Sequence, residues 1–213
     1  MPSDNNYQNS IAFQGALGAY SHMACKAKCP DMNVLPCPSF EDALEAVQQD
    51  RAKLAMIPIE NSTAGRVADI HMLLPGSGLY IIAEHFEPIE HCLMATKDAS
   101  IESLTSVTSH VQALGQCRTT LRKMGLAPIA FADTAGAAEH IAAQRDDSLA
   151  AVASRLAANV YGLQMIKENI HDKGNNTTRF VVLSKTQNDV ASLTRPVMTT
   201  FTFEVKNIPT AST

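Results

Sequence analysis

The sequence holds no C-x-x-C pair, and its five cysteines (Cys25, Cys29, Cys37, Cys92, Cys117) are scattered. No matching Cys or His pair follows Cys25, Cys29 and Cys37, so zinc is not indicated and reduced, structural thiols are expected. No H-E-x-x-H and no clustered ligand spacing occurs among the seven histidines. Neither a metal nor a cofactor is therefore expected. A G-x-G-x-x-G run is missing, which weakens a dinucleotide-binding reading. Basic runs are missing too, and the net charge is -4, which argues against nucleic acid as a partner. No uninterrupted apolar stretch is long enough to span a bilayer. Met1 to Asn9 is polar and lacks the apolar core of a signal peptide, so a cytoplasmic chain without a membrane partner is the expectation. The Asn-x-Ser/Thr sequons at Asn61, Asn175 and Asn176 carry no weight in such a chain. There is no internal repeat and no low-complexity tract.

What remains is an ordinary globular composition, 46% apolar and 18% charged over 213 residues. That is enough for one large domain or two small lobes. Apolar runs at Ile11–Phe13, Leu54–Ile59, Leu79–Ala83, Ile89–Ala95, Val107–Thr108, Ile129–Phe131, Leu149–Ala153 and Phe180–Leu183 read as strands. Helix starts stand between many of them: Ser39 with Asp42 three residues on, Asp133 before an alanine-rich run, and Ser154 before a run ending at Gly162. The alternation predicts an α/β fold with largely parallel sheets. Pro88 would bar regular pairing and mark a crossing between lobes.

In such folds ligands bind beyond the carboxyl ends of the strands. Here those ends are polar. Gly15 to Ser21 joins a strand to a helix and offers an anion-friendly helix N-terminus. Asn61, Ser62 and Thr63 follow the Leu54–Ile59 strand and are expected near the next helix start, where capping is the plainer role. Ser109 and His110 precede a helix on which Gln112 and Gln116, one turn apart, share a face. The stretch Asn175-Asn176-Thr177-Thr178-Arg179-Phe180 runs from a polar loop into an apolar strand. A hydroxyl and a guanidinium at a strand mouth can handle an oxygen leaving group and a carboxylate.

Taken together these stretches resemble the prephenate dehydratase family over about 11–185. The motifs are Gly15 to Ser21, Pro58-Ile59-Glu60-Asn61-Ser62-Thr63-Ala64-Gly65, Ser109-His110-Val111-Gln112 with Gln116-Cys117, Asp133-Thr134-Ala135, Tyr161-Gly162-Leu163-Gln164 and Thr178-Arg179-Phe180. Each is weak alone; six in the same order are specific. Val111 stands where the family usually has proline, and Gly115 where a polar residue is common. The resemblance implies decarboxylating dehydration of prephenate to phenylpyruvate in phenylalanine biosynthesis, driven by aromatisation and without a cofactor. It maps the family's essential threonine to Thr178. Asn61, Ser109 and Gln116 become its catalytic neighbours, and Ser21, Ser62, Thr63, Gln112 and Arg179 substrate contacts. Arg179 could bind a carboxylate or only pair structurally. Backbone N–H groups of Gly15 to Ser21 and Asn61 to Gly65 would face carboxylates.

The implied fold is two α/β lobes around a cleft, like a type II periplasmic binding protein. Lobe 1 would hold about 10–88 and 178–185, and lobe 2 about 89–177. Residues 1–9 read as a disordered leader, 186–196 as a linker, and 197–213 as the truncated start of an ACT domain. By resemblance the protein is a homodimer, and phenylalanine is an allosteric inhibitor of the full-length chain only. Two rivals stand beside this reading: arogenate dehydratase, and a two-lobed binding or sensor module without turnover.

Overall fold

A computed structural model describes residues 7–188 and Met198. The expected ACT strand, most of the linker and most of the leader lie outside the described residues; the leader's end, Tyr7–Asn9, forms a 3-10 turn.

The first lobe is built from β1 (Ser10–Gln14), α1 (Tyr20–Lys28), β2 (Asn33–Cys37), α2 (Phe40–Gln48), β3 (Leu54–Asn61), the two-residue β4 (Gly65–Arg66), α3 (Ala68–Leu73) and β5 (Tyr80–Pro88). The chain then crosses into a second lobe. This comprises β6 (Cys92–Ala95), β7 (Ser106–His110), α4 (Val111–Gln116), α5 (Arg118–Lys123), β8 (Ala127–Phe131), α6 (Thr134–Gln144), β9 (Leu149–Ala153), α7 (Arg155–Tyr161) and β10 (Gln164–Lys167). Finally β11 (Thr177–Ser184) returns to the first sheet and inserts between β3 and β5. The strand orders are β2-β1-β3-β11-β5 and β10-β6-β9-β7-β8. This is the two-lobed, type II periplasmic-binding-protein-like arrangement.

The inner strands β1, β3, β6, β9 and β11 read as largely apolar runs because both their faces are covered, whereas the edge strand β8 is mostly exposed. In the first sheet Ile11, Phe13, Met56, Phe180 and Val182 turn toward Ala24 and Cys25 of α1. Their alternate neighbours Ala12, Ala55, Ile57, Val181 and Leu183 pack on Leu44 and Val47 of α2 and Ile70 of α3. In the second, Leu93, Val107 and Val152 meet α4 and α5, while Met94, Ala151 and Ala153 meet α6 and α7. The expected caps form: the side chains of Ser39, Asp133 and Ser154 accept the N–H groups of Asp42, Gly136 and Ala157 at 3.1, 2.7 and 3.1 Å.

The sheets are mixed rather than largely parallel. β1 pairs parallel with β2 and β3, and β7 with β8 and β9, but β11 runs antiparallel to β3 and β5, and β6 antiparallel to β9 and β10. The cause is the double crossing: a strand that enters a lobe from the cleft, as β6 and β11 do, starts at the side where the parallel strands end and must run against its neighbours. Pro88 does not break pairing. It ends β5 opposite Thr177, and the crossing follows it. Ile89 N–H then bonds Asn176 O at 2.8 Å, so the outgoing and returning segments are tied together.

Beyond these crossings, the loop before α1 docks on α7. Gly18 O accepts the Ser154 hydroxyl at 2.5 Å, and Leu17 O accepts that of Tyr161 at 2.8 Å. Gly18 has φ +86°, and a Cβ there would stand 2.7 Å from Ala157 Cα, which is backbone and cannot step aside. Gly18→Ala is therefore expected to destabilise the protein by about 2–5 kcal/mol, the sum of backbone strain and overpacking. A midpoint of urea unfolding unchanged from wild type would refute this docking.

Candidate active site

Between the lobes lies an open cleft of about 540 Å³. The ends of β1, β3 and β7, the first turns of α1, α4 and α6, and the start of β11 surround it. Thr178 stands directly across from Asn61 in the β11–β3 pairing, and both line the cleft. Asn61 Nδ2 donates to Thr178 Oγ1 at 2.9 Å and to Asn176 Oδ1 at 2.7 Å. Asn176 Nδ2 donates to Gln116 Oε1 at 2.9 Å. His91 Nε2 lies 2.7 Å from the same oxygen, and His91 Nδ1 lies 2.7 Å from the Tyr20 hydroxyl. One ladder thus runs from α1 through both crossing segments to Thr178.

Burial holds the His91 imidazole below its ordinary pKa, against the opposing pull of Gln116 and with a smaller contribution from His171 in the same direction. Burial also raises the Tyr20 phenol well above its usual value. Both groups are uncharged at neutral pH. The cysteines are free, and burial raises the pKa of each, with Cys117 pushed up to about 12. None offers a thiolate nucleophile near neutral pH.

Of the residues singled out from sequence, Asn61, Gln116, Thr178, Ser21 and Gln112 line the cleft. Four do not. Ser109 is fully buried and its hydroxyl donates to Val152 O at 2.6 Å, tying β7 to β9. Both faces of β7 are covered here, so the strand end gives Ser109 no open side. Ser109→Ala is expected to cost about 1 kcal/mol through the lost buried hydrogen bond, and to lower turnover far less than loss of Thr178. A folded variant with wild-type stability and crippled turnover would return Ser109 to the catalytic set.

Ser62 and Thr63 occupy the turn between β3 and β4 rather than a helix start, which comes only at Ala68. Ser62 Oγ donates to Asn175 O and accepts from Thr177 N–H, both at 2.9 Å. The N–H groups of Ser62, Thr63 and Ala64 are consumed by Thr177 O and Asn61 Oδ1. They are not presented to a ligand as the sequence suggested. In the Gly15–Ser21 loop, Gly15, Gly18 and Ala19 N–H are likewise taken, by Cys37 O, His22 Nδ1 and Ala16 O. Arg179, adjacent to Thr178 on an extended strand, points to the other face. It pairs with Glu84 at 2.9 Å and lies over the Phe86 ring, which is the structural alternative of its two readings.

Among the described residues, the guanidinium that lines the cleft is Arg66 of β4. It has no ion-pair partner among the described residues. His91, His110, Tyr20 and Asn176 also line the cleft without having been singled out individually. Asp69 and Asp133 supply carboxylates at its rim. Among the described residues no group of three or more His, Cys, Asp or Glu is placed to hold a metal, and no helix is long and apolar enough to cross a membrane.

The cleft between the two lobes thus sets hydroxyl and amide groups beside a guanidinium that has no ion-pair partner among the described residues, with two carboxylates at the rim. Residues 11–188 match the family model described as prephenate dehydratase, and the chain belongs to that family. It is 42% identical over 97% of its length to a bifunctional N-acyl-homoserine lactone acylase/prephenate dehydratase of Komagataeibacter europaeus, covering 73% of that protein. It is 41% identical over 85% of its length to arogenate dehydratase/prephenate dehydratase 2, chloroplastic, of Arabidopsis thaliana, of which it spans about half (48%). The prephenate dehydratase of Arthrobacter aurescens, solved in complex with L-Phe, superposes with a TM-score of 0.77 at 28% identity, over 84% of this chain and 61% of that one.

Proposed function

We propose that this chain dehydrates and decarboxylates prephenate to phenylpyruvate. The observation that carries the reading is the hydrogen-bond ladder ending on Thr178. Thr178 Oγ1 accepts from Asn61, so its own proton is left to point into the cleft. Gln116 uses only its carbonyl within the ladder, leaving its amide hydrogens for the ligand. In this reading Arg66 holds the side-chain carboxylate, with Ser21 and Gln112 as further contacts. Thr178 and Gln116 meet the ring hydroxyl as the C–O bond breaks. The electron pair of the breaking ring-to-carboxylate bond enters the ring, carbon dioxide leaves, and the departing hydroxide takes a proton to leave as water. Aromatisation supplies the driving force, so the protein's task is to position the dicarboxylate and assist the leaving group. Homodimer assembly, and allosteric inhibition by phenylalanine of the full-length chain only, complete the proposal.

Incubation with prephenate, followed by ultraviolet detection of phenylpyruvate, is the direct test. Arogenate run in parallel measures the alternative substrate, whose ammonium group would need a carboxylate such as Asp69. Product from arogenate alone would replace the reading, and product from neither would sink it. The relative that shares 42% identity and bears an acylase name favours a second, hydrolytic reading, tested by release of homoserine lactone from its N-acyl form. Arg66→Ala is expected to raise KM for prephenate about ten- to a hundredfold, the worth of a charge-assisted contact, with kcat changed much less. An unchanged KM would remove Arg66 from the site.

A further inference from the structure

The donors and acceptors of the ladder can be assigned from its fixed end. Asn61 Oδ1 receives the backbone N–H groups of Thr63 and Ala64 at 3.0 and 2.8 Å. Its nitrogen must therefore face Asn176 Oδ1 and Thr178 Oγ1. That turns the Asn176 nitrogen toward Gln116 Oε1. The same oxygen has a second neighbour, His91 Nε2, which must then carry a proton. A neutral imidazole protonated at Nε2 is an acceptor at Nδ1, and the Tyr20 hydroxyl stands there at 2.7 Å, nearer than its second acceptor, Glu90 O at 3.1 Å.

We propose that His91, held by Tyr20, is a positioning residue for the reaction: its Nε2–H pins the Gln116 carbonyl away from the cleft, so that the Gln116 amide nitrogen faces the substrate. Without that bond one anchor, Asn176, is left on the carbonyl. The amide can then turn over and present an oxygen where a donor is needed. His91 is buried in the cleft wall with both ring nitrogens engaged, Nδ1 by Tyr20 and Nε2 by Gln116, so its effect on the substrate is passed through Gln116. The low pKa that burial imposes keeps His91 neutral, so the arrangement does not depend on its charge. The inference rests on the dehydratase reading for the identity of the substrate, but not for the orientation of the amide.

Two substitutions separate positioning from packing. His91→Gln sets an amide nitrogen near the place of Nε2 and is expected to keep most of the activity. His91→Asn sets one near Nδ1 and leaves Gln116 unpinned. It is expected to lower kcat about tenfold or more with KM little changed, as a slightly misplaced group does. In a Gln116→Ala background, His91→Asn is expected to have no further effect on kcat. Equal losses in the two His91 variants, or a loss that persists undiminished in the Gln116→Ala background, would overturn the proposal. Nitrogen-15 NMR of the imidazole gives a readout independent of turnover. The proton is expected on Nε2. A proton on Nδ1 in the wild-type protein would also overturn it. If the wild-type chain turns over no prephenate, the functional reading falls, while the NMR result still decides the orientation.

Discussion

Thr178→Ala is expected to cut turnover of prephenate by about 10²–10³-fold or more, the usual worth of a positioned proton donor, while the protein stays folded. Thr178 is buried at the mouth of β11, and among the described residues its side chain bonds only Asn61 Nδ2. Removing the hydroxyl leaves that nitrogen its bond to Asn176. The stability cost is then about 1 kcal/mol, one neutral hydrogen bond. Thr178→Val keeps the shape and loses the proton, and should be as inactive as alanine. Thr178→Ser keeps the proton on a less restricted rotor and should retain part of the activity. Steady-state kinetics beside thermal unfolding settles it. Near-normal turnover in a folded Thr178→Val protein would move the leaving-group donor elsewhere in the cleft.

Much of the fold is legible because its signals are local. Ser39, Asp133 and Ser154 announce helix starts through side-chain oxygens that need only the next three residues. The strand cores announce themselves because two covered faces demand unbroken apolar runs. Strand direction is not local. Nothing in Phe180 to Leu183 says that β11 runs against both its neighbours; that follows from a crossing made ninety-odd residues earlier, at Pro88. β2 escaped notice for another reason. It is an edge strand with Pro36 inside it, tolerable there but a strand-breaking signal in the sequence. Likewise Glu84 to Pro88 looks too polar for a strand, yet it lies at the sheet edge and completes β5.

The site divides along the same line. Thr178, Asn61 and Gln116 stand at element ends with side chains suited to the chemistry, and they converge. The placement of Ser109 and Arg179 depends on which face of a strand is open. For Arg179 the period of two already implied that it and Thr178 could not both enter one cleft. Arg66 gave no signal: a lone arginine after Gly65 reads as a solvated surface residue until the β3–β4 hairpin folds it over the cleft. The direction of every bond in the ladder was equally hidden. It is set by two backbone N–H groups meeting one oxygen, and that is a fact of three dimensions.

That direction makes Asn61→Asp the sharpest probe of the site. The substitution keeps volume and shape and exchanges two donor hydrogens for an acceptor. One carboxylate oxygen would still receive Thr63 and Ala64 N–H. The other would face Thr178 Oγ1 and Asn176 Oδ1, both placed to accept from Asn61. Thr178 can satisfy it only by turning its proton away from the cleft and toward residue 61. Asn176 can satisfy it only by rotating its amide, which puts an oxygen against Gln116 Oε1 and propagates the reversal. An added negative charge also stands beside an anionic substrate. Turnover is expected to fall about 10²-fold or more, with KM raised. Asn61→Ala should fall less far, because an absent partner leaves the Thr178 proton free to point into the cleft. The order of the two variants is the test. Asn61→Asp as active as Asn61→Ala would mean that Asn61 serves only to hold the turn, and that the Thr178 proton is directed by something else.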